Sequence, residues 1–126
     1  MTGAGVSIAL ATDIVIAAEP ASFVLTFSPK LGLIPDRGAP WKLGHSLDWA
    51  RALAITLLGD RISATQALEW GMIWRCVPDA DLQGLAHETA TRVGKAPPNI
   101  CRDVRHAYEA ALAFQQKRGP DFHRAL

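Results

Sequence analysis

The sequence predicts an α/β fold with few short strands and mostly helices, and three observations carry that prediction. Two runs rich in β-branched and apolar residues, 13–18 and 22–27, stand on either side of Glu19-Pro20 and read as short strands. From Trp41 onward, helix signals recur: a capping pair at Ser63 and Gln66, a stop glycine at Gly71, and apolar residues at helical spacing. The chain opens on "GAGVSIALAT", two glycines followed by a short, apolar, helix-compatible run.

The elements follow in order. After the second strand comes the loop "GLIPDRGAPWKLG" (32–44), with Asp36 at its centre. Trp41 to Leu58 is largely helical, as two short helices broken near Gly44 to Asp48, and Gly59 ends the second. "ISATQALEWG" is a compact helix, and "MIWRCV" a short strand. Pro78-Asp79 starts a helix to about Val93, with Leu82, Leu85, Ala86, Ala90 and Val93 on one face. "GKAPPN" breaks it. A last helix from Pro98 to about Arg118 places Ile100, Val104, Tyr108 and Leu112 at i,i+4 spacing, and Gly119-Pro120 stops it. The strands at 13–18 and 22–27 offer too little sheet for so many helices, so the layout is expected to lack something at its start.

Composition narrows the function. Apolar residues make up 49% and charged residues 20% of 126 positions, which is globular rather than disordered composition. A net charge of +1, with both signs interleaved, leaves no electrostatic footprint for nucleic acid or a membrane surface. Val6 to Ala18 is interrupted by Ser7, Thr12 and Asp13, and is too short and polar to span a bilayer. No Lys or Arg precedes it, so it does not read as a signal peptide. Cys76 and Cys101 lie far apart and suit a reducing compartment, so a cytoplasmic location is expected. His45, His87, His106 and His123 show no metal-ligand spacing, and no metal site is expected. Trp41, Trp49, Trp70 and Trp74 read as core residues.

Two stretches carry chemistry. Asp36 reads locally as an N-cap or turn aspartate, or as an acid set deliberately beside Leu33 and Ile34. Gly3-Ala4-Gly5 presents backbone N–H groups at a helix start, where an anion or developing oxyanion can sit; close packing of the helix start explains the same residues. A dinucleotide fingerprint fits poorly, because no strand precedes it and Ile8 stands at the third glycine position.

Taken together, "GAGVSIALATDIVIAAEPASF", "KLGLIPDRGAPWKL", "ARALAITLLGDRISATQALEWGMIWRCVPDADL" and "AFQQKRGPDF" resemble, in that order, the crotonase (enoyl-CoA hydratase/isomerase) superfamily. "LIPD" and "WGMIW" are most similar to its branch that isomerises 1,2-epoxyphenylacetyl-CoA. The resemblance implies the C-terminal half of a crotonase-like spiral fold. Residues 1–95 would be a partial core, with the second oxyanion-hole element and the Asp36 loop. Residues 96–126 would be a C-terminal helical tail, with an internal deletion between about Ala107 and Ala113. The first oxyanion-hole N–H and most of the acyl-CoA pocket would belong to residues preceding this stretch.

The resemblance also implies roles. Ala4, flanked by Gly3 and Gly5, matches the position whose N–H completes the oxyanion hole, and Asp36 matches the isomerase-branch carboxylate. Partial desolvation beside Ile34 would raise its pKa and suit it to passing protons at the thioester's carbons. The two hydratase glutamates are replaced by Ser7 and by Phe27 or Ser28, so two-carboxylate water addition is not expected. Gly38-Ala39-Pro40 replaces the family's Gly-Gly-Thr, and Pro40 removes a backbone donor. Phe114 and Lys117 match a tail that reaches a neighbouring subunit's CoA. The expected substrate is an acyl-CoA thioester, with no cofactor beyond the CoA it carries, and the expected assembly is a homo-oligomer, a trimer or dimer of trimers. The alternative is a non-catalytic remnant that assembles with a full-length paralogue.

Overall fold

The computed structural model describes residue 2, residues 4–26, residue 32 and residues 39–120. Within them the chain forms two compact units, Met1–Ala86 and His87–Leu126.

In the first unit, helix α1 (Ala4–Leu10) is followed by strand β1 (Ile16–Ala18) and strand β2 (Ser22–Phe23). Both strands are shorter than the β-branched runs. Residues 12–14 form a bend, and Val24 contributes only an isolated parallel bridge to Thr2. The turn between the strands closes with Ala21 N–H donating to Ala18 C=O at 2.9 Å, around Glu19-Pro20.

Helix α2 (Ala39–Ser46) begins two residues earlier than the sequence suggested and runs through Gly44. Pro40 is tolerated because a first-turn residue has no intrahelical acceptor for its N–H. The break falls at Leu47-Asp48. There the Asp48 carboxylate accepts the Arg51 N–H at 2.9 Å and caps helix α3 (Trp49–Leu58). Gly59, at φ 69°, ends that helix in the left-handed region that glycine adopts without steric cost.

Residues 62–63 form strand β3 (Ile62–Ser63), which the sequence reading absorbed into the next helix. Its partner is β2, antiparallel, with Ser22 opposite Ser63 and Phe23 opposite Ile62. Ser63 also caps helix α4 (Ala64–Glu69). Its hydroxyl accepts the Gln66 N–H, and the Gln66 side chain accepts the Ser63 N–H, both at 3.1 Å. At the other end, Met72 N–H donates to Ala67 C=O at 2.8 Å and Gly71 N–H to Leu68 C=O at 3.1 Å, with Gly71 at φ 76°. That pair of bonds is a Schellman ending, and it requires the glycine.

Strand β4 (Arg75–Val77) lies parallel to β1, with Ile16 opposite Arg75 and Ala18 opposite Val77. Trp74 N–H to Val15 C=O and Glu19 N–H to Val77 C=O, both 2.8 Å, extend the ladder at each end. The core of this unit joins α1 (Val6, Leu10), the strands (Ala17, Phe23, Ile62), α2 and α3 (Leu43, Ile55) and the α4–β4 segment (Ala67, Met72, Ile73). Only Trp70 of the tryptophans with described side chains packs against it. Trp49 is 77% exposed and Trp74 45%, against the expectation of core positions. Arg51 covers the Trp70 ring at 5.3 Å and Arg75 the Trp74 ring at 5.0 Å, and such cation–π contacts suit half-wet indoles.

A 3₁₀ turn (Asp79–Asp81) leads into helix α5 (Leu82–Gly94), which has no buried residue. Its Leu82 and Leu85 are half-buried, whereas Ala86, Ala90 and Val93 are exposed. The second unit's main element is helix α6 (Ile100–Gln115). It starts later than Pro98 because Asn99 is left-handed at φ 74°, and it runs unbroken through 107–113. The expected apolar stripe is exposed at Ile100 (39%), Val104 (46%) and Tyr108 (71%), while Glu109 and Ala113 are buried. The buried face of α6 is therefore not the one its apolar spacing indicated.

Candidate active site

Among the described residues, the site begins at α1. The first helical turn leaves N–H groups without intrahelical acceptors. Gly5 N–H is turned back onto Thr2 C=O at 3.3 Å, and Thr2 is itself bridged to Val24 beyond β2. The strand end thus fixes where the helix starts and which way its amides face. Ala4 is the first helical residue, and no bond within the helix consumes its N–H.

One turn further on, Ser7 is buried at 5% exposure, between Val6 and the core residue Leu10, while Ile8 on the opposite side is 71% exposed. Its Oγ has no hydrogen-bond partner. No sequence signal marked this, because the residue reads as a small polar interruption of an apolar run. On α1, therefore, the position that the resemblance matches to a hydratase carboxylate holds a buried hydroxyl.

Asp36 and Gly3 lie outside the described residues, as do Phe27 and Ser28. The structure places Ala4 and Gly5 together at the start of α1. Phe114 and Lys117 close the last turn of α6 in the second unit. Phe114 is 85% exposed, and Lys117 is held at φ 53°, a left-handed conformation a side chain rarely adopts. Lys117 N–H donates to Phe114 C=O at 3.1 Å and Arg118 N–H to Ala113 C=O at 3.0 Å, a second Schellman ending with lysine where glycine is usual. Arg118 anchors it. Its Nη1 lies 2.7 Å from Glu109 Oε1, and its Nε donates to Gln116 Oε1 at 2.7 Å. This anchor escaped the sequence reading.

No group of three or more His, Cys, Asp or Glu side chains is arranged for a metal among the described residues. Cys76 is half-buried and Cys101 exposed, both as free thiols. No helix of the described residues is long and apolar enough to cross a membrane.

The fold is that of the crotonase enzymes. An enoyl-CoA hydratase from Mycobacterium paratuberculosis superposes with a TM-score of 0.77 at 29% identity, covering 92% of this chain and 52% of its own. One from Mycobacterium avium gives 0.77 at 28% identity, covering 98% and 55%. Residues 1–125 match the enoyl-CoA hydratase/isomerase family, and the chain belongs to it. The 1,2-epoxyphenylacetyl-CoA isomerase of Escherichia coli K12 is 50% identical over 95 residues, 75% of this chain and 36% of that protein. A carnitinyl-CoA dehydratase from Salmonella agona is 33% identical over 117 residues, 93% of this chain and 44% of its own length. The chain thus spans less than half the length of these two relatives. The α/β class and the crotonase resemblance both hold, including the similarity to the epoxyphenylacetyl-CoA branch.

Proposed function

We propose that this chain supplies the second oxyanion-hole donor and the general base of an acyl-CoA isomerase. The observation that carries the reading is the 50% identity to the E. coli isomerase. The serine in place of a carboxylate on α1 supports isomerisation over water addition.

In this reading Asp36 removes a proton from a carbon adjacent to, or conjugated with, the thioester. The C–H electron pair moves toward the carbonyl, whose oxygen becomes an enolate oxygen held by Ala4 N–H. Asp36 then returns the proton at another carbon, the double bond shifts, and nothing is gained or lost overall. Phe114 and Lys117 contact the CoA bound to a neighbouring subunit, with the lysine ammonium matched to its phosphates. The working protein is a cytoplasmic homo-oligomer that needs no cofactor beyond the CoA of its substrate.

The test joins this chain to the N-terminal portion of the E. coli relative, the part it does not align with. The fusion is given crotonyl-CoA and a 3-enoyl-CoA. Conversion of the 3-enoyl thioester to the conjugated 2-enoyl form, without loss of crotonyl absorbance, is the expected result. Hydration of crotonyl-CoA with no double-bond shift would place the protein with the hydratases.

A second reading has its own observation. Trp49, Leu53 and Leu57 form an exposed apolar line along α3, at 77%, 38% and 58% exposure, as a chain acting through assembly with another crotonase would. A fusion that folds yet shifts no double bond, while the unfused chain co-purifies with a full-length relative, would favour it.

A further inference from the structure

Helix α3 is apolar on nearly every side, and its own unit uses only part of it. Of its ten residues, Arg51 and Thr56 alone are polar. Ala52 and Ile55 face the core. Arg51 pairs with Asp48 and lies over the Trp70 ring. Trp49, Ala50, Leu53, Ala54, Leu57 and Leu58 are exposed, Trp49 at 77% and Leu58 at 63%. At about 100° per residue, these six fill one half of the helix circumference without a charge among them. A helix hydrophobic all round belongs in an interior, so a further apolar surface completes its burial.

The relief of that half identifies the surface. Trp49, Leu53 and Leu57 stand in one i,i+4 row, and Ala50 and Ala54 stand in the row beside it. The large row is a ridge and the small row a groove, and i,i+4 ridges of one helix seat in the matching grooves of another. One face therefore carries both halves of the fit, which is the condition for a two-fold contact between identical surfaces. The exposed apolar stripe of α6, by contrast, is flanked by Asp103 and Arg105 and offers no uncharged counterpart. The exposed half of α3 presents on the order of 500 Å² of apolar surface, at the upper end of what a monomer shows. Two such faces together bury about 1,000 Å², the lower limit of a specific interface.

We propose that the exposed half of α3 is a homodimer surface. Two copies of the chain cross their α3 helices about a two-fold axis beside Leu53 and Ala54, and each Leu53 seats against Ala50 and Ala54 of the partner subunit. The contact follows from the α3 face itself and does not depend on the acyl-CoA reading. It assigns that face to a second copy of this chain, not to a full-length relative.

Ala54→Leu tests the fit. Ala54 is exposed, so the change leaves the fold intact and makes the face more apolar, yet it fills the groove. Sedimentation across the micromolar range should show the unaltered chain in equilibrium between monomer and dimer. Ala54→Leu should raise the dissociation constant about tenfold or more, as overpacking does, and Leu53→Lys should do the same. Ala54→Cys, made together with Cys101→Ser, should form a disulfide between copies at position 54 under mild oxidation. Helices crossing at alanines approach within disulfide reach. Circular dichroism is recorded for every variant to show that its helices persist. An unaltered chain that stays monomeric overturns the inference, even if it binds the E. coli isomerase, because the face then fits another surface. Association that Ala54→Leu strengthens also overturns it, since an apolar patch without a groove behaves that way. A dimer that survives Leu53→Lys, or that forms no disulfide at position 54, places the contact elsewhere.

Discussion

Arg118 Nη1 stands 2.7 Å from Glu109 Oε1, and the carboxylate it meets is only 5% exposed on a helix whose apolar stripe is out in solvent. The pair ties the last turn of α6 back to its middle and sets the conformation of Lys117 between them. Glu109→Gln keeps the shape but removes the charge. The C-terminal turn should lose roughly 1–2 kcal/mol, since the pair is buried on one side and partly wet on the other. Hydrogen exchange at the Lys117 and Arg118 amides should quicken accordingly. Unchanged protection there would show that the backbone ending, rather than the ion pair, holds the turn.

Lys117 offers a cleaner separation of structure from function. A left-handed non-glycine residue costs about 1–2 kcal/mol. Lys117→Gly should therefore slow exchange at the same amides while weakening CoA binding, if the ammonium meets the CoA phosphates. Tighter capping with unaltered CoA affinity would assign the lysine no ligand.

The capping box of α4 is a local device with a known magnitude. Ser63→Ala removes the acceptor for Gln66 N–H and should cost about 1 kcal/mol in urea unfolding. The backbone pairing of Ser63 with Ser22 is untouched by that change. A loss several times larger would mean that the side chain also holds β3 against β2.

Asp36 is tested in the fusion described above. Asp36→Asn retains size and polarity but cannot accept the proton. Double-bond isomerisation should fall by roughly 10²–10⁴, and deuterium exchange at the thioester's acidic carbon should fall with it. Equal rates would return Asp36 to the role of a turn residue.

The exposed line on α3 predicts behaviour in solution. Trp49, Leu53 and Leu57 recur at i,i+4 spacing and remain uncovered within their unit. The chain should self-associate at micromolar concentration, and Leu53→Lys with Leu57→Lys should reduce the association seen by sedimentation. A wild-type monomer with one sharp unfolding transition would show this half-fold to be self-sufficient.

What the sequence determined by itself was local. The Ser63–Gln66 box and the glycine endings at Gly59 and Gly71 depend on residues within a few positions of each other. Backbone sterics and side-chain capping decide such features wherever the segment sits. The family was legible too, because its motifs are dense and ordered along most of the chain. The role of Asp36 came from that resemblance alone, since its local surroundings fit a turn equally well.

Tertiary structure decided whatever needed a distant partner. β3 is a strand because Ser22 and Phe23 lie beside it, some forty positions away in sequence, and nothing in "ISATQ" announces them. The apolar spacing of α6 pointed to Ile100, Val104 and Tyr108, but burial fell on Glu109, which an arginine beyond the helix end neutralises. Periodicity identifies which residues share a face and not which face finds cover, so Trp49 and Trp74 were misplaced for the same reason. The Ser7 hydroxyl is the sharpest case. Its sequence shows only a serine in an apolar run, while its enclosure without a partner exists only once the helix is packed.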